Sequence, residues 1–252
     1  MLKQSFSWWC FAGKGVEDAA LLRRARGIGY GAVELMPPAL FGRAADSGLV
    51  IASHGAHESI SQGLNDPREH DRIERELQGS LALAVAHQIP QLIVFSGSRR
   101  DGLTDREGAE NAARILSRVA QAAEQAGVTL ILEMLNSKVD HPGYQADRTA
   151  WGVDVCARVG SPRVKLLYDI YHMQVMEGDV IATIQESAAH IAHYHTAGVP
   201  GRHDLDDSQE LFYPAILRAI AATGYTGYVG HEFTPKGDPL RALEAAYRLC
   251  DV

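Results

Sequence analysis

Three cysteines in 252 residues, Cys10, Cys156 and Cys250, are too few and too scattered for a disulfide framework or a CxxC redox or zinc motif. Reduced thiols in a cytoplasmic protein are the simplest expectation. Long apolar runs are missing too. None approaches the roughly 20 residues of a membrane span, and the opening MLKQSFSWW lacks the apolar core of a secretory signal. Basic residues are outnumbered, 24 Lys and Arg against 31 Asp and Glu, for a formal net charge of −7. That balance argues against nucleic acid as a partner, because a nucleic-acid surface needs a basic face. A small anion stays admissible, since one local Arg or a metal ion can dominate a pocket. The glycine pairs Gly13/Gly15 and Gly27/Gly29 do not open a helix after a strand, so no dinucleotide fingerprint is present.

What the chain has is a hydrophobic content of 46%, enough for a full core, in strand-then-helix units joined by short connections. Strands are expected at Lys3–Phe11, Gly31–Met36, Leu49–His54 and Gln91–Phe95, then in the runs reaching Glu133, Asp169, Thr196 and Phe233. Amphipathic helical patterns lie between them, at Val16–Gly27, Ala39–Asp46, Asn65–His87, Thr104–Ala126, Thr149–Val159, Asp179–His190, Tyr213–Thr223 and Leu240–Leu249. Eight such units with no linker predict an α/β fold, a (β/α)8 TIM barrel forming a single domain over residues 1–252; a doubly wound open sheet is the alternative.

Four of the apolar runs end on a group able to bind a metal: TLILEMLN on Glu133, VKLLYDIYH on Asp169, IAHYHT on His195 and GYVGHEF on Glu232. Buried parallel strands read as such runs, and the ligands of α/β barrels collect at their carboxyl ends. A single strand-end carboxylate is ordinarily a helix N-cap or an ion-pair partner. Four at successive strand ends, each about one strand-plus-helix unit from the next, define a site. Three carboxylates and one imidazole form a hard donor set that suits Mg2+ or Mn2+. Glu133 and Glu232, the only glutamates of the four, can each move a proton. One would take it from beside a carbonyl and the other return it, through an ene-diolate steadied by the bound ion. Return to the neighbouring carbon is aldose–ketose isomerisation; return to the opposite face of the same carbon is epimerisation.

These strings, LILEMLN, YDIYHMQVMEGD and GYVGHEF, together with GAVELMPP, resemble the sugar-phosphate isomerase/epimerase-like (xylose isomerase-like) TIM-barrel superfamily, and within it the hydroxypyruvate isomerase family. The likeness spans nearly the whole chain. It implies Glu133, Asp169 and Glu232 as metal ligands with the glutamates doubling as acid and base. It implies His172 and Arg202 in contact with substrate, and Glu34, His54 and Asn136 lining the pocket. The expected partner is a small-molecule hydroxy-carbonyl substrate. Dimers or tetramers are common in such barrels, whereas exposed helices with few aromatics fit a monomer, so a homo-oligomer stays open.

One departure from the family pattern bears on substrate. Hydroxypyruvate isomerases often carry Gln at the strand-seven ligand, whereas His195 here follows ketose 3-epimerases, and the loop GVPGRHDLDDSQELFY lacks the usual PGxG spacing. Arg202 in that loop suits a substrate carboxylate. Period-two alternation places His193 beneath His195 as a buried structural residue, and turns one of Trp8 and Trp9 inward. The lead reading is a hydroxypyruvate isomerase-like enzyme, with a ketose 3-epimerase and a non-catalytic sugar- or acid-binding barrel as alternatives. An endonuclease of the same barrel would need further histidine ligands, for which His54 and His57 are the candidates.

Overall fold

Apolar runs bounded by turn residues become strands here because helices cover them on one side and the barrel interior on the other. The computed structural model describes residues 2–252. Its strands are β1 (Lys3–Ser7), β2 (Ala32–Glu34), β3 (Val50–Ile51), β4 (Ser53–Gly55), β5 (Gln91–Val94), β6 (Thr129–Glu133), β7 (Val164–Asp169), β8 (Ile191–Thr196) and β9 (Tyr228–His231). All neighbours pair in parallel, in the order β3-β2-β1-β9-β8-β7-β6-β5-β4. The two ends of that order, β3 and β4, are one stave broken at Ala52. Its first half pairs with β2 and its second with β5. The Leu35 N–H donates to the Ser53 carbonyl at 3.1 Å across the seam, which leaves a nearly closed eight-stave TIM barrel.

The helices are α1 (Trp8–Phe11), α2 (Asp18–Ile28), α3 (Phe41–Asp46), α4 (His70–His87), α5 (Asp105–Ala126), α6 (Thr149–Val159), α7 (Ile170–Met176), α8 (Val180–Ser187), α9 (Tyr213–Ala222) and α10 (Pro239–Cys250). Capping sets the bounds that hydrophobic periodicity left loose. Glu17 accepts from the Ala20 N–H and starts α2 two residues later than expected, and Thr104 with Glu107 forms a reciprocal capping box on α5.

Two expected elements differ. The strand expected over Lys3–Phe11 ends at Ser7, because β2 and β9 offer no ladder partner beyond Ser7 and Phe6, and the chain coils into α1. The strand expected to reach Asp169 does end there, but the IYH that follows in the same apolar run is helical: the Asp169 side chain accepts the His172 N–H at 3.0 Å and starts α7, an unexpected helix.

Inside the barrel the two halves differ. Ile93, Ile131 and Leu167 form an apolar cluster on β5–β7, while Ser5, Ser7, Glu34, Ser53, His193 and His195 bury polar groups on the other half. A register shift at Leu166/Leu167 makes Ala192 an extra residue on β8, so that Asp169 stands level with His195. Bulges re-aim side chains in this way beside functional sites.

Candidate active site

Glu133, Asp169, His195 and Glu232 close the carboxyl ends of β6, β7 and β8 and follow that of β9. One donor atom from each lies within 4.8 Å of all the others. Two glutamates flank the imidazole, with His195 Nδ1 3.1 Å from Glu232 Oε2 and 3.5 Å from Glu133 Oε1. Two buried atoms of the set, Asp169 Oδ2 and His195 Nδ1, have no hydrogen-bond partner. Unsatisfied buried donors and acceptors are costly. Two converging in one cluster of hard ligands fit a divalent cation, and the four side chains meet the requirement for one.

The electrostatics of the metal-free cluster are uneven. Burial raises the Glu133 pKa; the nearby His195 imidazole only partly offsets this, and the neighbouring Glu232 charge adds to it. Burial also acts on Glu232, but the His195 and Arg202 charges outweigh it and hold the carboxyl well below its usual range. Asp169, fully buried, is pushed up to about 7 despite Arg202 and His195. Burial works against a charged His195, yet Glu232, Glu133 and Glu34 together outweigh it and raise its pKa well above the ordinary value. The pair is thus split, with Glu232 ionised and Glu133 inclined to hold a proton.

Around this cluster the expected residues divide. The buried His172 ring accepts at Nδ1 from the Asn136 N–H (3.1 Å) and lies 2.7 Å from the Asn136 side-chain amide nitrogen. A backbone N–H only donates, so the neutral ring carries its proton on Nε2, which has no partner and stands 3.8 Å from Asp169 Oδ2. Burial, reinforced by Arg202, keeps that ring neutral. Asn136 itself is fully buried: its Oδ1 accepts from Val139 and Asp140 N–H and its amide reaches Asp140, so it shapes the loop and holds His172. Arg202, in the left-handed region at φ 57°, donates from Nη2 to Glu232 Oε2 at 2.6 Å and stacks over the Trp9 and Tyr171 rings. Its buried Nε is unpartnered.

Glu34 and His54 stand elsewhere than the pocket wall. Glu34 lies under the cluster with no exposure, its carboxylate engaged by Ser5, Ser53, His193 and His195. His54 packs its ring against Phe41 of α3, in the helix layer, because alternation within β4 turns Ser53 inward instead. His57 is taken up by the Phe95 N–H, donated to its Nε2 at 2.9 Å. Neither histidine joins a metal-competent group among the described residues.

Ser7 is a residue that the strand pattern did not single out, and Trp9 belongs to the pair of which one was expected to face inward. The Trp9 indole N–H donates to Glu232 Oε1 at 2.9 Å and the Ser7 hydroxyl lies 3.2 Å from the same oxygen. Trp8, its neighbour, is buried in the core. Alternation along β1 was the available signal for Ser7; the turn of α1, rather than strand alternation, buries Trp8 and carries Trp9 over the site.

A barrel with an oxygen-rich cluster at its strand ends defines the class, and comparison with known proteins gives the family. Residues 22–250 match the model of the xylose isomerase-like TIM barrel, and the chain belongs to that family. It is 29% identical over 240 residues to the putative hydroxypyruvate isomerase of Homo sapiens, a match covering 89% of this chain and 86% of that one. To the 2-oxo-tetronate isomerase of Cupriavidus necator it is 39% identical over 121 residues, 48% of this chain and 46% of the relative. Among solved structures, a family 2 AP endonuclease from Brucella melitensis superposes with a TM-score of 0.87 at 24% identity, over 96% of this chain and 97% of that one, a likeness of fold alone. Both relatives are named as isomerases, and the chain spans about half the length of the Cupriavidus necator one. No helix among the described residues is long and apolar enough to cross a membrane.

Proposed function

We propose that this protein is a metal-dependent isomerase that interconverts a small 2-oxo hydroxy acid, of the hydroxypyruvate or 2-oxo-tetronate kind, with its aldehyde isomer. The observation that carries the reading is the placing of two glutamates on either side of His195 Nδ1, Glu232 at 3.1 Å and Glu133 at 3.5 Å, within one cluster that Asp169 completes. Glu232 takes the proton from the carbon bearing the hydroxyl, and the C–H electrons form the double bond of an ene-diolate as the carbonyl π electrons move to oxygen. Glu133 then gives its proton to the former carbonyl carbon. The hydroxyl proton passes between the two oxygens, leaving the aldehyde on the first carbon. His172, with Nε2–H directed toward the cluster, donates to a substrate oxygen, and Arg202 takes the carboxylate in its planar fork. A divalent ion, Mg2+ or Mn2+, supplies positive charge opposite the developing oxyanions. Trp9 and Tyr171 flank the Arg202 guanidinium and keep bulk water from it.

A second reading, ketose 3-epimerase, is supported by histidine rather than glutamine at position 195. It uses the same residues, with Glu133 returning the proton to the opposite face of the carbon that lost it. Incubation with Mn2+ in deuterated water separates the two, with hydroxypyruvate, 2-oxo-tetronates and ketoses as substrates. Isomerisation puts deuterium on the former carbonyl carbon; epimerisation puts it on the inverted one. Glu133→Gln and Glu232→Gln should each reduce turnover by about 10²- to 10⁴-fold. Absence of exchange with every substrate, despite bound metal, overturns the proton-transfer reading.

A further inference from the structure

One buried carboxylate of the barrel interior has no route to substrate. We propose that Glu34 is a positioning residue for His195, fixing the ring so that Nδ1 is the nitrogen presented beside Glu133, Asp169 and Glu232. The proposal rests on the metal-site reading above.

Three observations carry it. Glu34 Oε2 lies 2.9 Å from His193 Nε2 and 3.1 Å from His195 Nε2. An ionised carboxylate only accepts, so each ring places a proton on Nε2 and His195 can offer a metal ion only Nδ1. Next, the carboxylate is itself immobilised. The Ser53 hydroxyl donates to Oε2 at 2.6 Å, the Ser5 hydroxyl donates to Oε1, and the side chain is fully buried. Four donors thus meet the carboxylate beneath the cluster, three of them on Oε2. Finally, the space for this arrangement comes from Gly230 on β9. A Cβ there would overlap Glu34 Oε1 and stand 2.9 Å from His195 Cδ2.

The consequence is chemical as well as geometric. A carboxylate on the far nitrogen raises the basicity of the ligating one, and loss of such partners typically weakens metal affinity by about 10- to 100-fold. A glutamine ligand at position 195 would bind through an amide oxygen, which has no tautomer to fix, so only a histidine there calls for this support.

The test is Mn2+ affinity of chelator-stripped protein, followed by electron paramagnetic resonance of the free ion, with no substrate present. Glu34→Gln should weaken Mn2+ binding at least tenfold in protein that still melts cooperatively without metal, at a lower temperature because a hydrogen-bonded buried carboxylate is lost. Nitrogen-15 NMR of the Mg2+-loaded wild type should show the His195 proton on Nε2. In a His195→Gln background the added Glu34→Gln change should alter Mn2+ affinity less than twofold, the signature of action through the ring. Should Glu34→Gln fail to fold, Glu34→Asp keeps the charge but shortens its reach to His195 Nε2, and the same loss is expected. Unchanged Mn2+ affinity in Glu34→Gln, or an equal loss in the His195→Gln background, overturns the proposal and leaves the metal site standing. Wild-type protein that binds no divalent ion overturns both.

Discussion

Asp169→Asn isolates the cost of assembling carboxylates in the barrel without their cation. The substitution keeps the Oδ1 that caps α7 through the His172 N–H and removes only the charge at the unpartnered Oδ2. In the metal-free protein Asp169 is pushed from an ordinary value of 3.8 to about 7, chiefly by burial. A carboxyl raised in the folded state contributes stability that is fully present below its unfolded pKa and lost as pH climbs through the folded one. The window therefore runs from about pH 4 to about pH 7. At 1.36 kcal/mol per pH unit the ceiling is about 4 kcal/mol. Buried charges in proteins behave as in a medium of higher effective dielectric than a dry interior, so about 2 kcal/mol is the working figure. For a domain of this size that is roughly 4–8 °C in melting temperature. Melting curves in chelator between pH 4.5 and 8 should show the Asn variant gaining on wild type as pH rises, with a plateau above about 7. Histidines held neutral by burial, such as His57 at about 4, give the opposite slope in both proteins and cancel in the difference. Saturating Mn2+ should reverse the order, because wild type gains about 2.7 kcal/mol at 100 times Kd while the variant has lost a ligand. Parallel curves in chelator would refute the reasoning.

Arg202→Lys keeps the charge but loses the planar fork and the stacking on Trp9 and Tyr171. KM for a carboxylate-bearing substrate should rise roughly 10- to 100-fold, the worth of a charged hydrogen bond, with neutral ketoses little affected; equal losses would remove Arg202 from carboxylate recognition. Two helix glycines give opposed stability outcomes. Gly152→Ala in α6 would set a methyl 2.7 Å from Leu166 Cδ2 and 2.8 Å from Met134 Sδ. It should cost about 1 kcal/mol net, overpacking set against helix propensity. Gly79→Ala in α4 meets nothing within 4 Å and should add about 0.5–1 kcal/mol; urea denaturation reads both.

The four cluster residues were legible because each ends a largely apolar run, the imprint of burial on both faces of a parallel strand. The barrel followed from the same eight runs. What stayed hidden depends on relations between segments. The stretch IYHMQVM is as apolar as a strand, and its helix begins at the Asp169 cap, a hydrogen bond rather than a composition. His54 lost its expected place because the break at Ala52 fixes which residue of the third stave turns inward. The level of Asp169 against His195 depends on a bulge that no single strand encodes.

Glu34 shows why depth in a barrel is unreadable from one strand. In a regular strand, successive side chains take opposite faces, so either Glu34 or Leu35 should point outward. Both point in. Leu35 adopts φ 51°, a conformation uncommon for a residue with a Cβ, and packs on the Ile93, Ile131 and Leu167 cluster. Its N–H reaches across the seam to the Ser53 carbonyl, and the Ser53 hydroxyl turns back to Glu34. One local departure from strand geometry therefore closes the seam of the barrel, covers the apolar half of its interior and fixes the carboxylate beneath His195. Strain of this kind, on the order of 1–3 kcal/mol, persists only where the surroundings over-determine it. Here they do so from both sides, and the barrel's closure and the orientation of its histidine ligand are parts of a single packing arrangement.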